Sequence, residues 1–267
     1  MITCPDAGFF FMHIPKNGGS SVRDQIQPLD HFEGKFLGTK QHKELGFYDS
    51  SHVPLGMLKQ YFPDAFSLVS SLEGYAILRD PVDRFASSIA QRFRQIHGRR
   101  VDQVTPADVI AEVDAVITHL RDRKDHLHHK FSHFIPQSSF VELDGAPIVR
   151  NRYRISDTRF LLRDLSSRLD APLVEDFHSN KTVTFRYPWM AGPAIAAKDF
   201  VKARAPAGMV DSIRRVAMKA LTTPRVQSID TEIGKSDDIQ SFIVEYYARD
   251  IELFAATGPR SDRIQDT

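Results

Sequence analysis

A lysine, two glycines and two serines follow a short apolar run near the start of the chain. Phe9–Ile14 is apolar except for His13, so it predicts a buried strand that ends at Pro15. A turn and a helix start are expected next, in the residues Pro15, Lys16, Asn17, Gly18, Gly19, Ser20 and Ser21. Backbone N–H groups at such a turn point outward, glycines let an anion come close, and the lysine adds a full positive charge. This pattern predicts a phosphate-binding loop.

The order of these residues differs from that of a Walker A loop, in which the lysine follows the last glycine. Here Lys16 precedes both glycines. The same pattern also fits an ordinary strand–turn–helix connection with a surface lysine, because glycine-rich turns are common. Either Ser20 or Ser21 is expected to cap the helix.

A second candidate anion-binding group follows the next predicted buried strand, Tyr75–Leu78. Arg79 comes directly after this strand, Asp80 predicts the N-cap of a helix, and Ser87 lies two turns into it. Ligands of open α/β sheets bind at the carboxyl ends of strands, so two such motifs predict a ligand with two separated anionic groups. Taken alone, Arg79 also fits an ion pair with Asp80 or Asp83.

These residues resemble motifs of a known enzyme family. The segment HIPKNGGSS (13–21) resembles the 5′-phosphosulfate loop of sulfotransferases that use 3′-phosphoadenosine 5′-phosphosulfate (PAPS), and AILRDPVDRFASS (76–88) resembles their 3′-phosphate motif. The chain is most similar to the carbohydrate branch, which includes the heparan 2-O- and chondroitin enzymes. Weaker similarities keep the family's order: His52-Val53, PQSS (136–139), HSNK (178–181) and YARDIELF (247–254). The Golgi-type membrane anchor and the cysteine pairs of many relatives are missing from the sequence.

The resemblance implies a donor site and a proton acceptor. The 5′-phosphosulfate would contact Pro15, Lys16, Asn17, Gly18, Gly19, Ser20 and Ser21, and the 3′-phosphate would contact Arg79 and Ser87. Lys16 would also stabilise the leaving nucleotide, 3′,5′-adenosine bisphosphate, and His52 would be the general base. An unperturbed imidazole pKa of about 6.5 suits that task. His52 also fits a loop histidine that caps the helix expected from Val53.

Three functions are therefore open, and the first is favoured. It is transfer of a sulfuryl group from PAPS to a hydroxyl of a carbohydrate or another polyhydroxylated acceptor, without a metal. The second is a P-loop-like kinase that uses ATP, which the position of Lys16 and the lack of a clear magnesium carboxylate disfavour. The third is a protein that binds a nucleotide without catalysis. The acceptor and the oligomeric state do not follow from the sequence.

Composition limits the class of protein. The chain has 267 residues, 42% of them hydrophobic, and a formal net charge of +1. An α/β protein with a real core fits these values, and a nucleic-acid partner does not. No apolar run approaches the roughly 18 residues of a membrane span. One cysteine, Cys4, and an N-terminal segment without a basic region or cleavage site lead us to expect a cytoplasmic protein.

The predicted architecture is one α/β domain over residues 1–258, with a central parallel sheet, flanking helices and a P-loop-like nucleotide-binding core, followed by a flexible tail at 259–267. A loop is expected over 28–51, and strands over 139–143 and 148–155 around an Asp144-Gly145 turn. Helices are expected at 53–62, 81–97, 105–120, 157–169, 209–221 and 238–254.

Histidines are frequent between positions 119 and 133, where His129 and His133 have helical i, i+4 spacing. Metal binding is disfavoured because Arg121, Arg123 and other basic side chains surround these histidines. A solvated basic face is the simpler interpretation, and a surface that holds the acceptor is the alternative.

Overall fold

A computed structural model describes residues 1–122, 129–175, 184–185, 222–223 and 228–260. The strands are β1 (Ile2–Cys4), β2 (Phe9–Met12), β3 (Thr39–His42), β4 (Gly46–Asp49), β5 (Glu73–Leu78), β6 (Glu142–Leu143), β7 (Ala146–Pro147), β8 (Asn151–Arg154), β9 (Thr184–Phe185) and β10 (Thr222–Thr223). The helices are α1 (Ser20–Ile26), α2 (Leu55–Tyr61), α3 (Pro63–Ser70), α4 (Pro81–Gln95), α5 (Pro106–Asp122), α6 (Ser138–Val141), α7 (Thr158–Leu169), α8 (Ser228–Lys235), α9 (Asp237–Tyr246) and α10 (Ala248–Ala256). The chain is a mixed α/β protein.

The central sheet has four strands in the order β1-β2-β5-β8. Strand β5 pairs in parallel with β2 and with β8, which confirms the predicted parallel sheet. Strand β1 was not predicted and runs antiparallel to β2, with Ile2 opposite Phe11. Its three residues, which end before Pro5, are too few to show a periodic pattern.

Helices cover both faces of this sheet because side chains alternate along each strand. Phe10 and Met12 pack on one face in a cluster that includes residues of α2, α3, α6 and α10. Phe9 and Phe11 pack on the other face with residues of α1 and α7. The uninterrupted apolar run of β2 thus reflects a strand that is buried on both sides.

Helix α4 begins as the sequence predicts. Asp80 is its N-cap, and the Asp80 carboxylate accepts hydrogen bonds from the N–H groups of Val82 and Asp83 at 2.9 and 3.1 Å. The apolar side of α4 packs against α5, α8 and α9 in a separate hydrophobic cluster. This cluster fixes α4 against these three helices.

Several predicted elements are wrong in their boundaries. The expected loop over 28–51 contains the β3–β4 hairpin and a 3₁₀ turn at Ser50–His52, because exposed strands carry polar residues and look like loop. Pro63 begins helix α3, which was not predicted. Residues 138–141 form helix α6, and the Asp144-Gly145 turn joins only the short strands β6 and β7. The last predicted helix is divided at Tyr247 into α9 and α10.

The helix expected at 209–221, the HSNK segment and residues 261–267 of the expected tail lie outside the described residues. Within the described ranges, every helix is too short or too polar to cross a membrane.

Gly74 in β5 permits close packing between the central strands, and its replacement tests this. A Cβ atom at Gly74 would lie 2.7 Å from the Phe10 ring and 3.0 Å from the backbone of Val149. We expect Gly74→Ala to lower the free energy of unfolding by about 1–3 kcal/mol in urea denaturation, because a well-packed core must shift. The control Gly234→Ala, in helix α8 with open space around the new methyl group, should be neutral or stabilising. Equal effects of both substitutions would contradict this account.

Candidate functional site

The two predicted anion motifs follow adjacent parallel strands and meet at one edge of the sheet. The loop that begins at Pro15 follows β2, and Arg79 follows β5 directly. The Arg79 guanidinium Nη1 donates a hydrogen bond to the main-chain carbonyl of Lys16 at 3.2 Å. The motifs, 63 residues apart in sequence, are therefore in direct contact.

Backbone geometry explains the two glycines of the loop. Lys16 and Gly18 have left-handed φ angles of +66° and +77°. A Cβ atom at Gly18 would lie 2.8 Å from Ile155, and one at Gly19 would lie 2.7 Å from the His13 ring. Larger residues would distort the loop, so glycine is required at both positions.

The serines of the loop do not cap helix α1. Its N-cap is Gly19, which makes no side-chain cap hydrogen bond, so that expectation is wrong. Ser20 and Ser21 are the first two residues of the helix and are half-buried. Their hydroxyls lie in the first turn, next to the glycines of the loop.

Three side chains of the predicted donor site are half-buried and lie along α4: Lys16, Arg79 and Ser87. The Lys16 ammonium group donates to Gln91 Oε1 at 3.3 Å. Arg79 also faces Asp83 at 3.8 Å, the ion pair that the sequence offered as the alternative. Ser87 is half-buried one helical turn before Gln91, on the same side of α4.

Asn17 has a structural role inside the protein, which its position in the loop sequence did not predict. Its side chain is buried, and Nδ2 donates to the Ile77 carbonyl and to Gln137 Oε1, both at 2.6 Å. The side chain thus holds the loop against β5. Only the main chain of Asn17 is left to contact an anion.

Gln137 connects the loop to the rest of the protein. Its side-chain amide accepts a hydrogen bond from the Arg79 N–H at 3.0 Å and donates one to the Arg79 carbonyl at 2.9 Å. The Asp250 carboxylate in α10 accepts hydrogen bonds from the N–H groups of Gln137 and Ser138 at 2.7 and 2.8 Å. The weak sequence similarities PQSS and YARDIELF therefore meet in one buried network beneath the site.

Arg84 was not identified from the sequence. It is only 2% exposed, and its guanidinium donates to the carbonyls of Pro15 at 3.1 Å and Ile135 at 2.8 Å. Burial lowers the pKa of this guanidinium, but an arginine stays charged. Its position in the sequence could have indicated this role. Arg84 comes one helical turn after Asp80, and from there a long side chain can reach under the loop that begins at Pro15.

His52 lies in an aspartate–histidine pair. Its Nδ1 is 2.6 Å from Asp49 Oδ2, and Asp49 also accepts hydrogen bonds from the Ser51 N–H at 3.1 Å and the Ser132 hydroxyl at 3.2 Å. Burial would raise the pKa of the Asp49 carboxyl, but the His52 hydrogen bond and charge hold it at about 2. Asp49 is therefore ionised, which places the shared proton on His52 Nδ1 and leaves a lone pair on Nε2.

Burial lowers the pKa of His52 below its ordinary value, against the opposing effect of Asp49, so the imidazole is neutral at neutral pH. The N-cap of α2 is Pro54, so His52 is not the helix cap that the sequence offered as the alternative. Asp49 was missed because it lies in the region expected to be a loop.

Two further histidine rings lie next to that of His52. Ring centroids of His13 and His133 lie 5.0 and 5.4 Å from that of His52. Burial, followed by the charges of His52 and Lys16, lowers the pKa of His133 to about 3. Because the His13 ring also lies against Gly19, the histidine group adjoins the predicted anion loop, residues 15–21.

Comparison with known proteins adds no relative: no family model, no curated protein and no solved structure matches this chain.

The network around Gln137 can be tested by an almost isosteric substitution. We expect Gln137→Leu to lower the free energy of unfolding by about 2–4 kcal/mol, since the Asn17 amide and the main-chain N–H and C=O of Arg79 each lose a hydrogen bond. Urea denaturation measures the change. Gln41→Leu, on the exposed strand β3, is the matched control and should change stability by less than about 0.5 kcal/mol. Similar stability of the two variants would show that the network is not structurally important.

Proposed function

We propose that this chain is a PAPS-dependent sulfotransferase with a P-loop-like nucleotide-binding core, acting on a hydroxyl of a carbohydrate or another polyhydroxylated acceptor. The observation that carries the proposal is the contact of Arg79 with the Lys16 carbonyl, in a loop that adjoins the Asp49–His52 pair through His13. Two anion-binding motifs and one neutral, oriented imidazole are the groups that this reaction needs.

The donor would contact both motifs. Backbone N–H groups of Gly18 and Gly19, the hydroxyls of Ser20 and Ser21, and the Lys16 ammonium group suit a phosphosulfate, since they offer donors and positive charge in one loop. Arg79 and Ser87 suit the separate 3′-phosphate. Arg84 adds a fixed positive charge beneath the loop. This arrangement supports a ligand with two anionic groups over a ligand with one.

The chemical step would be an in-line displacement at sulfur. The acceptor oxygen forms a bond to sulfur while the bond from sulfur to the bridging oxygen breaks, and His52 Nε2 takes the hydroxyl proton. The bridging oxygen keeps the electron pair and leaves on 3′,5′-adenosine bisphosphate. Lys16 stabilises this developing charge, which is where electrostatic catalysis contributes most. Asp49 keeps His52 in the required tautomer and stabilises the imidazolium that forms.

Helix capping by Asp80 favours sulfuryl transfer over the kinase alternative. Asp80 is the acid whose position after β5 resembles that of a magnesium ligand, but Oδ1 already accepts two backbone hydrogen bonds in α4. The position of Lys16 before the glycines also disfavours a kinase, because the lysine of a Walker A loop follows the last glycine.

Calorimetric titration tests the donor site. We expect Arg79→Ala to weaken binding of 3′,5′-adenosine bisphosphate about 10–100-fold, the effect of losing a hydrogen-bonded charge, while binding of 5′-AMP stays unchanged. Arg150→Ala, which removes an exposed arginine, is the control. An equal loss of affinity for both nucleotides would refute the assignment of Arg79, and wild-type preference for ATP with magnesium would favour the kinase.

The proton acceptor is tested by transfer of labelled sulfate from PAPS to a panel of neutral and acidic oligosaccharides. We expect His52→Gln to lower kcat by about 10²–10⁴-fold, the usual contribution of a general base, with bisphosphate affinity unchanged. His31→Gln, an exposed histidine, should retain wild-type turnover. Full activity of His52→Gln would refute its role, and bisphosphate binding by a wild-type protein that transfers no sulfate would favour the non-catalytic alternative.

A further inference from the structure

Asp49, His52 and His133 form the one group of three or more histidine, cysteine or acidic side chains in the described residues whose ligand atoms lie close enough for a metal ion. One ligand atom from each residue lies within 4.8 Å of the other two, and all three side chains are half-buried. The sequence disfavoured a metal because it grouped His133 with neighbouring basic residues. The fold instead brings His133 to two residues that lie more than 80 positions earlier.

We propose that Asp49, His52 and His133 form a binding site for a divalent metal ion of the zinc class, and that an occupied site excludes His52 from proton transfer. The second part of this inference rests on the proposed function, whereas the first part does not.

The chemistry of the three donors suits zinc. Two imidazoles and one carboxylate make up the donor set of three-ligand zinc sites, which keep a fourth position open. Donor atoms around a tetrahedral zinc ion lie about 3.3 Å apart, given bonds of about 2 Å. The pair Asp49 Oδ2 and His52 Nδ1, now 2.6 Å apart, would separate slightly, and His133 would move inward.

A hydrogen bond from a neighbouring residue supports the metal site. The Ser132 hydroxyl donates to Asp49 Oδ2, in the manner of the outer hydrogen bonds that orient metal ligands. Lys16 and Arg84 oppose a cation by repulsion, so we expect binding weaker than that of a structural zinc site.

An occupied site would switch off the proposed base. If the ion binds His52 Nδ1, the single ring proton moves to Nε2, which then has no lone pair for the acceptor hydroxyl. If the ion binds Nε2, it uses that lone pair directly. Either way His52 stays neutral and cannot take a proton, and no oxidation or bond cleavage is involved.

Cobalt(II) titration of the full chain, treated with a chelator beforehand, tests the site without any nucleotide. We expect one equivalent of cobalt to give the visible absorption bands of a tetrahedral site, and zinc to abolish them. His133→Gln and Asp49→Asn remove different ligands with little change in size, and each should weaken cobalt binding at least tenfold. His97→Gln is the control, because His97 pairs with the Glu112 carboxylate elsewhere in the fold.

A second readout is independent of the spectrum. Zinc should raise the Tm of the wild type and of His97→Gln, but not that of His133→Gln, because only a folded site binds the ion. Circular dichroism confirms that each variant is folded. Absence of tetrahedral bands in the wild type, or equal cobalt affinity of wild type and His133→Gln, would overturn the metal site.

The link to catalysis has its own test. Zinc should suppress sulfate transfer from PAPS by the wild type, a chelator should restore it, and the activity that His133→Gln retains should resist zinc. Zinc binding without inhibition would overturn the link but leave the site. Full activity of His52→Gln, together with cobalt binding to the wild type, would refute the proposed base alone.

Discussion

The candidate site depends on one buried side-chain amide, that of Gln137. It pairs with both the N–H and the C=O of Arg79, as a neighbouring strand would, and so continues the hydrogen bonding of β5 beyond its last residue. The oxygen of this amide also accepts a hydrogen bond from Asn17, which fixes the loop that begins at Pro15. The Asp250 carboxylate in turn accepts a hydrogen bond from the Gln137 main chain. The side chains of Asn17, Gln137 and Asp250 are buried, where an unpaired polar group is costly. The loop and Arg79 thus share one rigid support.

Electrostatics complement this support. Arg84 is buried and donates hydrogen bonds to two main-chain carbonyls, which are neutral and so leave its positive charge uncancelled. Lys16 and Arg79 lie above it at the same edge of the sheet. An anion bound there would reduce the repulsion between these three neighbouring cations. Binding of a doubly anionic ligand would therefore stabilise the folded protein. Burial is the main reason that the pKa values of the nearby imidazoles of His52 and His133 are lowered, and the positive charges at this edge add to that effect.

Local patterns in the sequence were sufficient for the elements that carry the anion motifs. The apolar runs of β2 and β5, the glycine turn and the Asp80 cap each depend on residues close in sequence, and these predictions are confirmed. The hairpin β3–β4 was missed because an exposed strand lacks apolar alternation. His52 and the PQSS segment that contains Gln137 were identified through resemblance. Asp49 was missed because it lies in the region expected to be a loop, and Arg84 because its partners are main-chain atoms. A list of residue types does not reveal which carbonyl a buried arginine will reach.

The contact between Gln137 and Asp250 also constrains how the protein can fold. Asn17 and Gln137 are 120 residues apart, and Gln137 and Asp250 are a further 113 apart. Such contacts close large loops, whose entropy must be lost before the hydrogen bonds form, and high contact order slows folding. During synthesis, the support beneath the anion loop is incomplete until α10 has left the ribosome. The chain therefore cannot complete its candidate site before residues 248–256 have been made.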